Sequence, residues 1–443
     1  MEYKVPDINT VMGAVPVQDA AHDEEQLIEQ GHLLTRLLTS FNVSAQVCSI
    51  SPGPVVTRYE LKLSAGVKSN VVEKLATDIA MGLKARSIRV VPITERSVVG
   101  VEIPNKNPQI VYIRDILNSP EFQATEGINV ILGRDITGVP VMTDITKAPH
   151  MIVAGQTGSG KSMGINAFLI SMLATKTPED LRLILIDPKI VEMSPYNNIP
   201  HLLTPVITEP RKAIRVLDWV LKEMEERYHS LAAAGKRNII GYNTNAMKKM
   251  PYLVVVIDEM ADLMMVAGKR AEVQIVRIAQ KARAVGIHLI LTTQRPSVNV
   301  ITGLIKANVP TRVGFQTASN IDSRIIMDKG GCELLLGRGD MLFQSVGDPE
   351  MRRVHGAFVD YNDVDAMVSA CSQMPAKHVD IDDDIKVTIH GANILTPKLL
   401  SSAMTLVEAG DKPSTSLFQR KLNISFSLAE QIMEHLKTVE ELI

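Results

Sequence analysis

Eight consecutive residues, 155–162, constrain the fold of this chain more than any other segment. They are GQTGSGKS, which has the pattern G-x-x-x-x-G-K-[ST] of a phosphate-binding loop. The apolar run MIVAG precedes the loop and a helical pattern begins near Ser162, so the context is strand, loop and helix. Gly158 and Gly160 allow backbone N–H groups to turn toward phosphate oxygens. The alternative is a glycine-rich turn that binds nothing.

The motif predicts a site for ATP and Mg²⁺. Lys161 would supply a positive charge for the β- and γ-phosphates, and the Ser162 hydroxyl is expected to coordinate Mg²⁺. The predicted nucleotide-binding residues are Gly155, Gln156, Thr157, Gly158, Ser159, Gly160, Lys161 and Ser162.

Short apolar segments alternate with longer helical ones from Met151 onward, which predicts an α/β fold. The segments MIVAG, LRLILID, LVVVID, HLILTTQ and PTRVGFQT are apolar on both faces, as the strands of a buried parallel sheet must be. Residues 211–234 carry apolar side chains along one face and charges on the other, so we expect a helix that covers the sheet.

Two carboxylates and an amide follow these predicted strands. Asp258 and Glu259 end LVVVIDE, at the edge of an open α/β sheet where ligands bind. We expect Asp258 to hold Mg²⁺ and Glu259 to orient and deprotonate the attacking water. Gln294, at the end of HLILTTQ, is suited to sensing the γ-phosphate. The alternatives are two solvated acids and a simple turn residue.

Composition excludes several classes of protein. With 45% hydrophobic and 22% charged residues, the chain is typical of a globular protein. It has no apolar run long enough to span a bilayer and no signal-peptide pattern at its start, so we expect no membrane contact from this chain. Three widely spaced cysteines favour a reduced, cytoplasmic location. The net charge of −2 argues against a broad basic surface, so any DNA contact must be local.

The length of 443 residues favours two or three domains. The pattern predicts a flexible tail over residues 1–22, a small α/β domain over 23–115 and a large α/β domain with the phosphate-binding loop over 116–375. Within the small domain, residues 70–83 are predicted to form one helix. An acidic linker over 376–392 and a helical unit over 393–443 would complete the chain.

Several segments together resemble the FtsK/SpoIIIE family of double-stranded DNA translocases. They are the phosphate-binding loop, IDEMADLMM, QKARAVGIHLILTTQRPSVNVITGLIKANVPTR, NIDSRIIMD, SPGPVVTRYEL, IDPK with IPHLLTPV, and VHGAF. The resemblance implies a RecA-like core that forms a hexameric ring, threads duplex DNA through its channel and moves along it by hydrolysing ATP. It also implies a role in chromosome partition at cell division and, in a longer natural protein, a possible tether to the inner membrane.

The resemblance also assigns residues. Arg283, in the QKARA segment, would be the finger that reaches the γ-phosphate of the neighbouring subunit; otherwise it would pair with an acid such as Glu272. Two channel loops correspond to residues 295–303 and 319–324, so Arg295 and Arg324 are expected to contact DNA phosphates. Asn320 stands at the DNA-binding position where the family usually has Lys. The alternative for these loops is solvated charges without a ligand.

The C-terminal unit resembles the start of the family's winged-helix domain but departs from it. Residues 422–429, LNISFSLA, stand where the family's recognition helix offers Arg and Asn side chains. This unit could bind DNA or a protein.

Two other functions stay open on the sequence alone. Related ring ATPases pump polypeptide with the same loop and acid pair, and the channel loops favour DNA instead. A nucleotide switch that does no work is the other alternative, and Glu259 argues against it because a switch has no use for a catalytic carboxylate.

Overall fold

The structure, a computed structural model, describes residues 3–18, 23–244, 246–348, 350–379, 381, 403, 413–422, 429–430 and 432–433. These residues fall into two compact units, 1–378 and 379–443. The helices of the first unit are α1 (Ile8–Val11), α2 (Glu24–Ser40), α3 (Ser69–Lys74), α4 (Ala76–Gly82), α5 (Ile113–Leu117), α6 (Pro120–Gln123), α7 (Lys161–Leu173), α8 (Pro210–Ala233), α9 (Ile239–Asn243), α10 (Met260–Lys281), α11 (Gly303–Asn308), α12 (Asn320–Met327) and α13 (Tyr361–Cys371).

The strands of the first unit form two sheets. They are β1 (Ala45–Pro52), β2 (Val56–Leu63), β3 (Arg89–Ile93), β4 (Val98–Pro104), β5 (Asn129–Asp135), β6 (Pro140–Asp144), β7 (His150–Ala154), β8 (Leu181–Ile186), β9 (Tyr252–Ile257), β10 (Ile287–Thr293), β11 (Thr311–Phe315), β12 (Asp340–Gln344) and β13 (Arg352–Gly356). Short 3₁₀ turns cover Thr94–Arg96, Ser194–Asn198, Ala282–Val285 and Cys332–Leu334.

The smaller sheet is antiparallel, in the order β1-β2-β4-β3, and its two faces differ. Tyr59 and Leu61 of β2 point into an apolar core with α2, α3 and α4. Arg58 and Glu102, which are paired across β2 and β4, lie on the other face. The helix predicted over residues 70–83 is two helices, α3 and α4, that meet at Leu75.

The larger sheet has nine strands in the order β6-β5-β13-β12-β11-β7-β10-β9-β8. The five predicted strands are β7 to β11, and they run parallel to their neighbours in this half of the sheet. The other four strands extend it in antiparallel orientation, which the sequence pattern did not predict. Helix α7 is buried along almost its whole length, and α8 covers the sheet with its apolar face, as expected.

The N-terminal segment differs from the flexible tail that was expected at residues 1–22. Tyr3, Ile8 and Met12 are buried, and Ile8 and Met12 belong to the core of the larger sheet. Val111 and Ile113 also belong to that core, although they fall within the small domain predicted over 23–115. The domain limits stay predictions.

In the second unit, α14 (Thr415–Leu422) packs Leu417 and Phe418 into a small apolar cluster with Ala403, Ala429 and Ile432. Of the predicted recognition segment at 422–429, residues 423–428 lie outside the described residues, as does most of the acidic linker. Within the part of the chain that the structure describes, no helix is both long and apolar enough to cross a membrane.

Candidate active site

The predicted phosphate-binding loop connects β7, in the parallel half of the sheet, to the start of α7 at Lys161. Gly158 and Gly160 have φ values of +78° and +105°, a conformation that favours glycine. A side chain at Gly160 would overlap the backbone of Gly339. At the tip, Thr157 and Gly158 are exposed, whereas Ser159 is buried. Loop conformation and exposure therefore suit a backbone cradle for an anion.

Lys161 and Asp258 are in direct contact beneath this loop. The Lys161 Nζ atom lies 2.6 Å from Asp258 Oδ1 and donates to the Asp258 carbonyl at 2.9 Å and to Thr292 Oγ1 at 3.0 Å. Asp258 Oδ2 is buried and has no hydrogen-bond partner among the described residues. A buried carboxylate oxygen without a partner is a ready ligand for a hard cation, so the residues present fit the expected Mg²⁺.

Glu259 is held by four donors at the C-terminal edge of the sheet. Its Oε1 accepts from Thr293 Oγ1 at 2.5 Å and from the Ala261 amide at 3.3 Å. Its Oε2 accepts from the Gln294 amide and from Lys189 Nζ, both at 3.1 Å. Burial alone would raise the pKa of Glu259, but the bonds from Thr293, Gln294 and Lys189 outweigh it and hold the pKa below its ordinary value.

The strand register explains this arrangement. Leu291 of β10 stands opposite Ile257 of β9, so the next residues of the two strands, Thr292 and Asp258, meet at the edge. Gln294 is the first residue after β10, and its Oε1 accepts from Thr157 Oγ1 at 3.0 Å. The predicted γ-phosphate sensor is therefore tied to the phosphate-binding loop.

Sequence reasoning missed three residues of this site, Lys189, Thr292 and Thr293. Lys189 follows β8, in a turn where buried Asp187 accepts from five successive amides, 189–193. The signal was present in the sequence. IDPK and TTQ both place polar side chains directly after apolar strands, as IDE does.

Arg283 is the one predicted catalytic residue that the fold does not bring to the site. It is exposed in the turn Ala282–Val285, before the start of β10, whereas Lys161 and Glu259 lie at the other end of the strands. Seven residues of β10 separate the two edges, a distance of about 20 Å. Glu272, the alternative partner, is paired with Lys269, and no ion pair of Arg283 is found among the described residues.

The two predicted DNA loops lie on the same edge as the phosphate-binding loop. Arg295 is exposed after β10, and α12, which carries Asn320 and Arg324, comes after β11. Arg324 Nε donates to Asn320 Oδ1 at 2.8 Å, and Asn320 Nδ2 donates to Glu333 Oε1 at 2.6 Å. Both arginine side chains are exposed, so they are accessible to a ligand.

A sheet with a five-stranded parallel half, a glycine-rich phosphate loop before a buried helix and an Asp-Glu pair at the end of a nearby strand define the class: this is a RecA-like P-loop ATPase. The FtsK/SpoIIIE family model matches residues 112–298, and the FtsK alpha domain model matches residues 5–105. The chain belongs to the FtsK/SpoIIIE family, which confirms the resemblance noted in its motifs.

Curated relatives agree over nearly the whole chain. A DNA translocase FtsK from Clostridium tetani is 43% identical in an alignment that covers 99% of this chain and 60% of that protein. A DNA translocase FtsK from Haemophilus influenzae is 44% identical in an alignment that covers 93% of this chain and 85% of that protein. The chain thus spans only part of the relatives it matches.

Solved structures confirm the fold. The pCW3 conjugation coupling protein TcpA aligns with a TM-score of 0.55 at 22% identity, covering 77% of this chain and 99% of that one. The cytoplasmic domain of the type VII secretion ATPase EccC from Thermomonospora curvata aligns with a TM-score of 0.54 at 23% identity, covering 61% of this chain and 35% of that one.

Proposed function

We propose that this chain hydrolyses ATP with Mg²⁺ and uses the energy to move double-stranded DNA through a ring of six subunits. The observation that carries the proposal is the common sheet edge. The phosphate-binding loop, the Asp258–Glu259 pair and both exposed arginine loops all follow the C-terminal ends of neighbouring parallel strands. A motor needs this proximity, because hydrolysis at one loop has to move the other loops.

The residues divide the chemistry among them. Lys161 binds the β- and γ-phosphates, and Ser162 and Asp258 hold the metal. Bound Mg²⁺ supplies a Lewis acid that neutralises charge on the phosphate oxygens. Glu259 orients the attacking water and takes its proton. Thr293 and Lys189 position the Glu259 carboxylate, and Gln294, bonded to Thr157, senses the γ-phosphate.

Arg283 completes a neighbour's site. Its position about 20 Å from the site of its own chain suits a residue that acts in trans, as a cation that offsets charge on the transferred phosphoryl group. Head-to-tail assembly follows from this role, since each site then requires the next subunit, and in this proposal the assembly closes into a ring.

DNA contact in this proposal is local and electrostatic. Six copies of Arg295 and Arg324 line a channel and bind phosphates, which reconciles DNA binding with a net charge of −2. Asn320 stands where the family usually has a lysine, so each subunit has one cation fewer. The affinity for DNA should therefore be lower, without any gain in sequence preference. The chain would act in the cytoplasm in chromosome partition, with any membrane tether supplied from outside it.

The test is the rate of ATP hydrolysis with and without long duplex DNA. We expect duplex of several hundred base pairs to increase the rate severalfold, and short duplexes to do less. A rate that is unchanged by duplex DNA but increased by unfolded polypeptide would favour a polypeptide pump. Nucleotide binding without turnover under either condition would favour a switch.

A further inference from the structure

Residues 329–340, which we term the connecting segment, lie between α12 and β12 and contact three parts of the molecule. They have the sequence KGGCELLLGRGD and include the turn Cys332–Leu334. The functional roles described above do not use this segment.

The first contact is with the helix that carries the predicted DNA-binding residues. Glu333 accepts from Asn320 Nδ2 through one carboxylate oxygen, at 2.6 Å, and from the Gly331 amide through the other, at 2.8 Å. Ser323 of α12 donates to the Lys329 carbonyl at 2.9 Å and accepts from the Cys332 amide at 3.0 Å. The start of the segment is therefore fixed to α12.

The second contact is with the phosphate-binding loop. The Gly339 amide donates to the Ser159 carbonyl at 2.8 Å, and Gly160 lies so close to Gly339 that no side chain fits between them. Gln316 donates to the Leu335 carbonyl at 2.6 Å and accepts from Gln156 Nε2 at 3.2 Å. A change in the backbone of the phosphate-binding loop must therefore displace the end of the segment, because interiors packed this closely transmit strain.

The third contact holds the segment against the smaller sheet. Ser87 donates to the Leu334 carbonyl at 3.1 Å. Asp340, at the end of the segment, is paired with buried Arg353 at 2.6 Å, and Arg353 is paired with Glu102 of β4 at 2.9 Å. Arg58 and Arg89 also contact Glu102. This buried network anchors the Asp340 end of the segment, beside Gly339, whereas the other end is bonded to α12.

We infer that the connecting segment couples occupancy of the nucleotide site to the position of α12, and that Glu333 is the positioning residue that transmits the motion to Asn320. The inference rests on the proposed function in one respect, which is that α12 contacts DNA. Coupling of this kind is reciprocal, so nucleotide should change DNA affinity by the same factor as DNA changes nucleotide affinity.

The experiment measures that coupling factor in the full chain. The affinity for a fluorescent duplex is determined with and without Mg²⁺ and a non-hydrolysable ATP analogue. For the unmodified chain we expect the analogue to change the duplex affinity by about fivefold or more, within the usual range of such couplings. Glu333→Ala removes the hydrogen bonds from Asn320 and Gly331 but leaves the two that Ser323 makes, so it should reduce the ratio of the two duplex affinities by about twofold or more.

Two variants separate the hydrogen bond from charge. Glu333→Gln removes the same negative charge but keeps an oxygen that can accept from Asn320, so it should keep most of the coupling. Glu121→Ala changes an exposed glutamate on α6 and should behave like the unmodified chain. If Glu333→Ala keeps the full coupling, or if Glu333→Gln loses as much as Glu333→Ala, the inference is wrong.

A second measurement does not depend on DNA. Amide hydrogen exchange of residues 320–327 should change when the analogue binds the unmodified chain, and this change should be clearly smaller in Glu333→Ala. A chain that shows the exchange change but binds no duplex would contradict the proposed function and leave the coupling in place. A chain that is stimulated by duplex but shows neither the exchange change nor nucleotide-dependent affinity would contradict the coupling alone.

Discussion

The Nζ atom of Lys161 lies 2.6 Å from Oδ1 of Asp258, and the two side chains are 2% and 1% exposed. The residue expected to bind phosphate and the residue expected to bind the metal thus neutralise each other. Removing one partner of a buried pair leaves an uncompensated charge, which costs about 3–5 kcal/mol. When nucleotide binds, Lys161 is expected to contact phosphate and Asp258 the metal, so binding has to break or weaken this ion pair. The ion pair therefore affects both stability and nucleotide binding.

Lys161→Ala and Asp258→Ala should each lower the free energy of unfolding by about 3–5 kcal/mol, and the double variant should lose clearly less than the sum. Urea denaturation of the four proteins measures this. Lys147→Ala removes a lysine that is 82% exposed and should cost at most about 1 kcal/mol. Additive losses would mean that the pair is not coupled. Lys161→Ala should also lose nucleotide binding.

Glu259→Gln should bind ATP with nearly normal affinity but hydrolyse it about 10²- to 10⁴-fold more slowly, because a general base contributes a factor of this size. The glutamine oxygen can still accept from the Gln294 backbone amide and Lys189, and its NH2 can donate to the Thr293 hydroxyl oxygen, so most of the site's hydrogen bonds should be preserved. Binding by fluorescence and turnover by phosphate release give the two values. The exposed Glu179→Gln is the matched control. Near-normal turnover in Glu259→Gln would exclude this role.

Arg283→Ala subunits and Lys161→Ala subunits should each be inactive, yet mixtures of the two should regain part of the ATPase activity. Some interfaces in a mixed assembly pair an intact phosphate-binding loop with an intact arginine, and only these can hydrolyse ATP if Arg283 acts in trans. Turnover across a series of mixing ratios measures the recovery. No recovery in assemblies shown to be mixed would contradict the role in trans.

Arg295→Ala and Arg324→Ala should each weaken duplex binding for all sequences alike. Log K falls as log salt rises, and each lost phosphate contact should make this slope shallower by about 0.9. Asn320→Lys should make the slope steeper by a similar amount. Arg237→Ala is the control, since Arg237 is exposed beside Ile239, which contacts Gly286 at the opposite edge of the sheet. Equal slopes for all four proteins would place the DNA contact elsewhere.

The parallel strands were predictable because each is buried on both faces and so appears as an unbroken apolar run. Strands β12 and β13 were not predictable, because they bury charged residues. Asp340 and Arg353 are 2% and 3% exposed at the side chain and are paired with each other. Arg353 also pairs with Glu102, which lies 251 residues away in sequence. In the sequence, a buried charged residue looks like an exposed one when the residue that neutralises it is this distant.

In the candidate site, too, local patterns were predictable and contacts between distant segments were not. Residues within one motif, from Gly155 to Ser162 and at Asp258 and Glu259, could be placed at the sheet edge from local sequence, because strand and loop context fixes where they lie. Lys189 could be placed near the same edge from IDPK, but its contact with Glu259 could not be predicted, because the two residues are separated by 70 positions in the sequence. The expected role of Arg283 in a neighbouring subunit's site depends on assembly, so only the family resemblance predicts it.

Three buried histidines should make the stability of the fold depend on pH. His150, His201 and His288 are almost fully buried, and burial is the main cause that lowers their pKa values to about 3, about 4 and about 4. His150 and His288 also lie close together, with ring centroids 6.2 Å apart, so their positive charges would repel each other.

Because these pKa values are lower in the folded chain than the ordinary value of about 6.5, the unfolded chain binds more protons as the pH falls below 6.5. Stability is therefore complete above pH 6.5 and is lost as the pH falls from there toward about 4. Each histidine contributes at most about 1.4 kcal/mol per pH unit, so the three together give a slope of at most about 4 kcal/mol per pH unit. Urea denaturation at pH 7.5, 6.5, 5.75 and 5.0 measures this slope.

His288→Asn should lower the slope by about one third, because asparagine does not titrate but can still donate to the Pro149 carbonyl, which His288 Nδ1 contacts at 3.0 Å. His229 is exposed, and His229→Asn should leave the slope unchanged. The carboxyl groups with lowered pKa values, such as Glu102 and Asp340, reduce stability mainly below about pH 5, because their ordinary pKa values lie near 4, so they contribute little to this window. A free energy of unfolding that stays constant between pH 6.5 and 5.0 would mean that these histidines become protonated without opening the fold.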